Sequence, residues 1–182
     1  MYNLMDRSRP IHTWGLFMIE IKKIQIRQAQ DIDSDLLTEI SFAAKKHWNY
    51  PDNYYDLWRD ELTITKEYIN QNIVFNALYQ DAVIGFYSII ENKADFYAGE
   101  TFVKKGFWLE HLFIKPEYHK QGIGVLLINH AKQVSKDMGI SDLLIFVDPY
   151  AKGFYDKVGA DYLYDSKSSI PNRMIPIYGL KI

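Results

Sequence analysis

Residues 107–138 constrain this chain more than any other stretch. Phe107-Trp108-Leu109-Glu110-His111-Leu112-Phe113-Ile114 is aromatic and apolar enough to form a buried strand. Pro116 stops it, because proline cannot donate to a sheet ladder. A turn rich in glycine and cations follows, His119-Lys120-Gln121-Gly122-Ile123-Gly124. Leu127, Ala131, Val134 and Met138 then recur at four-three-four spacing, which predicts a helix with one apolar stripe, and Gly139 stands where a left-handed cap would end it. Two glycines where a helix begins cost it roughly 1 kcal/mol each unless a cap or a close approach repays them. Glycine lets a ligand approach the backbone, and the first amides of a helix have no internal partner, so such an end attracts phosphate. The stretch predicts an anion pocket at the end of a buried strand. The bland alternative is a plain strand-to-helix turn.

The rest of the chain suits one such unit. A length of 182 residues predicts one domain, and 15% aromatic residues supply a real core. A formal charge of −2 argues against nucleic acid as the main partner. The absence of cysteine excludes disulfides, a cysteine nucleophile and thiolate metal sites, and it fits a reducing cytoplasm. No apolar run approaches the ~20 residues of a membrane helix. Residues 1–17 read as an extension of little structural value, and the apolar run Trp14 to Ile19 is too short and too soon broken by Glu20 for a signal peptide. The domain is expected from residue 18 to 182.

Isoleucines at 19, 21, 24 and 26 predict a first strand whose alternation slips once. Helical spacing runs from Leu36 to about Trp48 behind capping carboxylates, and Pro51 breaks it. A second helix is expected over Asn53 to Asp60, and a short one from Thr65 to Gln71. Val74 to Tyr79 and Ala82 to Ile90 flank Gln80-Asp81 as a hairpin. Glu91 to Lys105 reads as a loop or strand ends around one. Leu143 to Val147 is a short apolar strand of the kind buried on both faces. Asp148-Pro149 opens a helix through Lys157, Gly159 ends it, and two last strands are expected at Tyr162 to Tyr164 and Met174 to Leu180. The order is that of a single α/β layer architecture.

Gln121-Gly122-Ile123-Gly124 after a strand, Phe154-Tyr155 before Gly159-Ala160, and this order of elements together resemble the GCN5-related N-acetyltransferase (GNAT) superfamily. Leu109 to Ile114, Asp148 to Tyr155, His47-Trp48 and Ile170-Pro171-Asn172-Arg173 are similar to a bacterial branch within it. The resemblance implies a mixed, mostly antiparallel sheet, splayed between strands 107–114 and 143–147 and flanked by helices. It implies acetyl-CoA as co-substrate, no metal, a small-molecule amine as acceptor, no nucleic acid or membrane partner, and often a homodimer. The pantetheine arm would pair with backbone groups at Leu112, Phe113 and Ile114. The pyrophosphate would meet His119, Lys120 and the amides of Gln121, Gly122, Ile123, Gly124 and Val125, and Asp148 would border the cofactor on the second wall. One departure is local: the first motif position, usually Arg or Gln, is His119. Lys120 is then the candidate cation, and a contribution from His119 would make phosphate affinity pH-dependent.

Acetyl transfer needs a deprotonated amine, a polarised thioester carbonyl and a protonated leaving thiolate. Tyr155 matches the family's general-acid tyrosine, and a phenol of pKa about 10 keeps its proton at neutral pH. A backbone amide near Ile114 is a candidate to polarise the carbonyl. Glu110 and His111 are adjacent on a strand, so regular alternation points them to opposite faces and only one faces the cleft. Glu110 is the preferred base, directly or through water, and His111 the competitor. His47, Trp48, Tyr50, Tyr54 and Trp58 lie where the family builds an acceptor wall, and they suit a flat or cationic acceptor or plain core packing equally. Arg173 in the late loop is a candidate for a substrate carboxylate.

Other classes fit less well. A dinucleotide site wants a third glycine, and Leu127 stands there. No Gly-Lys-Ser/Thr, HExxH or GxSxG pattern is present. The remaining rival is a GNAT-fold module that binds acyl-CoA without transferring the acyl group.

Overall fold

The computed structural model describes residues 19–182, so the predicted extension at 1–17 lies outside the described residues. A seven-stranded sheet runs in the order β1-β2-β3-β6-β7-β9-β8. Its strands are β1 (Gln25–Gln28), β2 (Ile73–Tyr79), β3 (Ala82–Asn92), β6 (Gly106–Ile114), β7 (Asp142–Phe146), β8 (Asp161–Lys167) and β9 (Met174–Lys181). The strands β4 (Phe96–Ala98) and β5 (Thr101–Val103) pair as a small separate hairpin within the predicted loop. All neighbours are antiparallel except β6 and β7. Those two run parallel and share a single paired position, Trp108 opposite Leu144, so the sheet opens between their C-terminal ends.

Helices cover both faces. Helix α5 (Ile123–Asp137) packs on one face, where Tyr87, Ile89, Leu109, Leu127, Ala131, Leu143, Ile145 and Tyr155 share a core. On the other face lie α1 (Ser34–Lys46), α2 (Asp52–Leu57), α3 (Arg59–Leu62) and α4 (Lys66–Gln71). Their side chains bury Leu37, Ile40, Ile64, Ile69 and Phe86 in one cluster and Trp58, Leu62 and Ile170 in another. Among the described residues, no helix is long and apolar enough to cross a membrane.

Local chemistry explains most boundaries. Thr65 caps α4 by accepting from the Tyr68 amide. Gln80 and Asp81 both take positive φ, 49° and 64°, the geometry of a two-residue hairpin turn. Gly139, at φ 74°, closes α5: its amide bonds the Lys136 carbonyl and Ile140 bonds that of Ser135, the two bonds of a left-handed cap.

Several expectations are corrected. The slip among the early isoleucines is a 3-10 turn at Ile21–Lys23, and the strand proper begins only at Gln25. The α5 stripe runs through Ile123, Leu127, Ile128, Ala131 and Ser135, while Met138 is 56% exposed, because the sheet selects a face rotated from the one marked by large residues. Trp58 separates α2 from α3 within the predicted second helix. The helix after β7 starts with a 3-10 turn at Pro149–Ala151, and α6 proper is Lys152–Lys157.

Candidate active site

The gap between β6 and β7 is lined by backbone. Lys115 donates to Ile84 in β3, and antiparallel partners alternate, so Phe113 and His111 also turn their backbone groups toward β3. Leu112 and Ile114 therefore turn theirs toward the gap. The Ile114 carbonyl already accepts from His119 Nε2 at 2.9 Å. Leucine 112 and Ile114 point their side chains into the α5-face core, and Phe113 points to the opposite face beside Phe86.

The loop beyond β6 combines three devices. Gly122 sits at φ 87°, where any side chain is strained, and ends the turn. The first α5 amide to close a helical bond at this end is Leu126, to the Gly122 carbonyl at 3.1 Å, so the amides of Ile123, Gly124 and Val125 lie ahead of the ladder. Gly124 has a different reason to be glycine. A Cβ there would stand 2.9 Å from Phe154 Cε2 and 3.0 Å from Cζ, so this glycine packs the loop onto α6. Gln121 braces the loop from below: its Oε1 accepts from the Ile19 amide at 3.0 Å and its Nε2 donates to the Glu117 carbonyl at 3.2 Å. Lys120 is exposed at φ 59°.

His119 turns away from these amides. Its Nε2–H donates to Ile114, and its ring meets His47 edge-on at 4.7 Å. Burial holds it below its usual 6.5, so it brings no charge to the loop at neutral pH. Trp48 stacks on Tyr150 at 5.2 Å and lies 6.4 Å from His119. His47 and Trp48 thus span the mouth of the gap from one strand end to the other.

Asp148 closes the turn after β7. Its carboxylate accepts from Lys45 at 2.7 Å, from Tyr50 at 2.8 Å and from the Tyr150 amide at 3.1 Å. Burial alone would raise its pKa; the Lys45 charge and these donors win and hold it below the usual 3.8. Both lone-pair sets are occupied by protein, so the side chain latches the end of α1 to the second wall.

Tyr155 is buried in the α5-face core, 5.1 Å from Phe154 and 6.4 Å from Tyr178 by ring centroids. Its hydroxyl has no hydrogen-bond partner among the described residues. Burial, and then the Asp148 charge, push its pKa well above the usual phenol, so it holds its proton.

Glu110 and His111 do not alternate across β6 as a regular strand would require. Ser88 pairs with His111 and Ile89 with Leu109, which leaves Glu110 as the extra residue of a β-bulge. Both side chains consequently reach Tyr68 of α4. Its hydroxyl donates to Glu110 Oε2 in a short hydrogen bond and lies 3.0 Å from His111 Nδ1. Glu110 keeps 36% of its side chain exposed, whereas His111 is buried. His111 Nε2 donates to the Glu61 carbonyl at 2.9 Å and Ser88 Oγ lies 2.8 Å from Nδ1. Burial holds His111 below 6.5 against the opposing pull of Glu110.

Beyond Glu110 lies an aromatic group. Tyr50 and Trp58 meet edge-on at 5.1 Å, and Tyr54 lies 6.0 Å from Tyr50 and 5.4 Å from Trp58. Two cations already sit on these rings: Lys45 Nζ is 4.8 Å from Trp58, and Arg173 is 5.3 Å from Trp58 and 5.5 Å from Tyr50. Lys45 is paired with Asp148. Arg173 has no acidic partner within ion-pair distance among the described residues, and its bonds to Ser168 and Tyr50 are long, 3.4 and 3.5 Å. Among the described residues, no three His, Cys, Asp or Glu side chains gather as a metal site would require.

Sequence reasoning missed Tyr68, Ser88, Lys45 and Tyr150. The chain holds 14 tyrosines, and nothing in the local pattern marks Tyr68. Its partners stand 20, 42 and 43 residues away.

A sheet opened between two parallel strands, with an open helix end beside the gap, defines a class of fold built to admit an extended, anionic co-substrate. Residues 35–160 match the model of the Acetyltransferase (GNAT) family, and the chain belongs to that family. It is an N-acetyltransferase by that membership. A spermidine N(1)-acetyltransferase of Thermoplasma acidophilum is 27% identical over 82% of this chain and 97% of its own. A thialysine N-epsilon-acetyltransferase of Bos taurus is 31% identical over 40% of this chain and 44% of its own. Among solved structures, a GCN5-related N-acetyltransferase from Rhodopseudomonas palustris superposes with a TM-score of 0.70 at 16% identity, covering 87% of this chain and 95% of that one. The PaiA N-acetyltransferase of T. acidophilum, solved in complex with coenzyme A, gives 0.65 at 22% identity, covering 87% and 99%.

Proposed function

We propose that this enzyme transfers the acetyl group of acetyl-CoA to a primary amine of a small molecule by direct attack in a ternary complex. The observation that carries the reading is the gap after Trp108–Leu144, edged by the backbone of Leu112 and Ile114 and ending at the open amides of α5. These fit an amide-bearing chain that ends in a pyrophosphate. Acetyl-CoA supplies, when bound, the acetyl group and the thiolate that leaves.

The protein's own groups do the rest. Leu112 and Ile114 form the strand edge against the pantetheine arm; Phe113, expected to share it, turns its backbone to β3 instead. Gln121, Gly122, Ile123, Gly124 and Val125 hold the pyrophosphate through their amides, with Lys120 as the nearby cation. His119 supports that arrangement by fixing the Ile114 carbonyl, and Asp148 by fixing the second wall. Glu110 takes the proton of the attacking amine. Tyr155, with its proton held by burial, gives it to the leaving sulfur. His47 and Trp48 border the acceptor's path, and the guanidinium of Arg173, which has no acidic partner among the described residues, meets an anionic group on the acceptor. The names of the two relatives, spermidine and thialysine acetyltransferases, support a small amine as acceptor. The absence of cysteine suits a reducing compartment, and we place the enzyme in the cytoplasm.

The test is a panel of amines with acetyl-CoA and the full chain, following thiol release. Glu110→Gln and Tyr155→Phe should each lower kcat by ~100-fold or more without raising the Kd of acetyl-CoA. Unchanged turnover in either variant would remove that residue from its role. Tight acetyl-CoA binding with no thiol release from any amine would make the protein a binding module instead.

A further inference from the structure

The polar cluster under Glu110 is unusual for its place. Tyr68, Ser88 and His111 come from α4, β3 and β6, and they meet within hydrogen-bond distance on a face otherwise packed with Leu37, Ile40, Ile64 and Phe86. Burying three polar side chains has a desolvation cost that hydrogen bonding must repay. Counting hydrogens shows what the cluster is arranged to do.

The chain of bonds has a fixed end. The Glu61 carbonyl can only accept, so His111 Nε2 carries hydrogen, and in the neutral ring Nδ1 is bare. Two hydroxyls face that bare nitrogen, Ser88 at 2.8 Å and Tyr68 at 3.0 Å, and they lie 2.7 Å from each other. While Glu110 is a carboxylate it can only accept. Tyr68 then donates to Glu110 Oε2, and Ser88 donates to Nδ1. Every buried donor is satisfied in this order.

A second order uses the same heavy-atom positions. If Glu110 carries a proton on Oε2, it donates to the Tyr68 oxygen. Tyr68 turns its hydrogen to His111 Nδ1, and Ser88 turns its own to the Tyr68 oxygen. No proton leaves Tyr68, Ser88 or His111. The only gain is the one Glu110 took from the amine.

We propose that Tyr68, Ser88 and the neutral His111 are positioning residues for the base: they hold Glu110 at the β6 bulge and accommodate both of its protonation states by reversing hydroxyl hydrogens alone. This rests on Glu110 being the base, and it adds that the base is held from beneath by α4. The carboxylate order is favoured before reaction, because a charge-assisted bond from Tyr68 is the stronger one. The titratable and charged groups around Glu110 are Tyr68 from α4, His111 from its own strand and Glu61 from α3, with Lys45 from α1 and Arg173 from the late loop acting in turn on Glu61. Of these, only Tyr68 donates directly to the carboxylate.

The test is the pH dependence of kcat/KM for the full chain with acetyl-CoA and an accepted amine. Tyr68→Phe should lower kcat roughly ten- to a hundred-fold, because the base loses the contact that aims it, and move the acid limb upward, because the carboxylate loses the donor that favours its charged form. Ser88→Ala should move the limb in the same direction by less, and Ser88→Thr should restore it. The Kd of acetyl-CoA should not change in any of the three. A Tyr68→Phe enzyme that melts normally and keeps the parent acid limb would overturn the proposal while leaving Glu110 as base. A Glu110→Gln enzyme with full turnover would remove the base itself. If Tyr68→Phe does not fold, the two Ser88 variants decide: an unmoved limb in Ser88→Ala overturns the proposal alone.

Discussion

Two strand-to-helix turns flank the gap in the sheet, and they solve the same problem in opposite ways. After β6 the chain turns with glycine at Gly122 and, among the described residues, leaves the first amides of α5 without a partner. After β7 it turns with Asp148, which caps the 3-10 turn with its own carboxylate and spends its charge on Lys45 and Tyr50. Both start from apolar strands and end in helices that pack on the same core. What separates them is whether the protein fills its own helix end. An aspartate cap makes a turn self-sufficient and stable; a glycine turn leaves donors for a ligand and relies on packing elsewhere. That packing is visible where Gly124 admits the Phe154 ring, so the open turn is held by an aromatic from beyond the closed one.

The largest effect should come from the closed turn. Lys45 and Asp148 are only 17% and 13% exposed, so Asp148→Ala leaves a mostly buried ammonium without its partner. A loss of about 3 kcal/mol is expected in denaturant unfolding, with a much smaller change in acetyl-CoA affinity among folded molecules. An affinity loss as large as the stability loss would mean that the second turn binds the ligand too.

Gly124→Val should cost about 2 kcal/mol, because the added carbons collide with a ring held by its own neighbours. Here acetyl-CoA binding should weaken at least as strongly, by ten-fold or more in calorimetry. Binding that survives while stability falls would separate the loop's packing from its ligand role. Gly122→Ala should be milder, about 1 kcal/mol, since the penalty is a left-handed conformation and the nearest atom to the new Cβ is the flexible end of Ile21 at 3.4 Å.

The smallest effect is in pH, and it splits the turns cleanly. His119 is held below 6.5, so the folded protein binds fewer protons than the unfolded one as pH drops past 6.5. Its contribution is whole above pH 6.5 and is lost as pH falls toward the depressed folded value. Asp148 is held below 3.8, so its contribution is present above that pH and is lost only as pH falls through the lower folded value. Melting temperature should therefore decline gently below pH 6.5 and steeply below about pH 4. His119→Gln should flatten the first decline only in part, since His111 and His130 are depressed in the same direction. Identical melting profiles for parent and variant between pH 7 and 5 would show that His119 titrates as it does unfolded.

Much of this arrangement could be read from the residues. The alternation and composition of 107–114, the proline stop, the paired glycines and the Gly139 cap fixed a strand, an open turn and a helix, because each depends on neighbours within a few positions. The hairpin at Gln80-Asp81 and the Thr65 cap were legible for the same reason. The faces were less so. Val134 and Met138 carry the size that marks a core residue, yet the sheet meets α5 on the side of Ile123 and Ser135. The choice between Glu110 and His111 was framed by a regular strand, and the bulge removes that frame.

By itself, then, the sequence determined the order of elements, the family to which the chain belongs, and where donors would be left unpaired. The tertiary structure decided what those groups do. It assigned Asp148 to Lys45, 103 residues away, and Gly124 to Phe154. It set Tyr68 of α4 beneath Glu110 of β6. The physical reason is range: capping, turn geometry and periodicity act over a few residues along the chain. Ion pairing, close packing and hydrogen-bond order act over a few ångströms in space, and only the completed fold says which residues are that close.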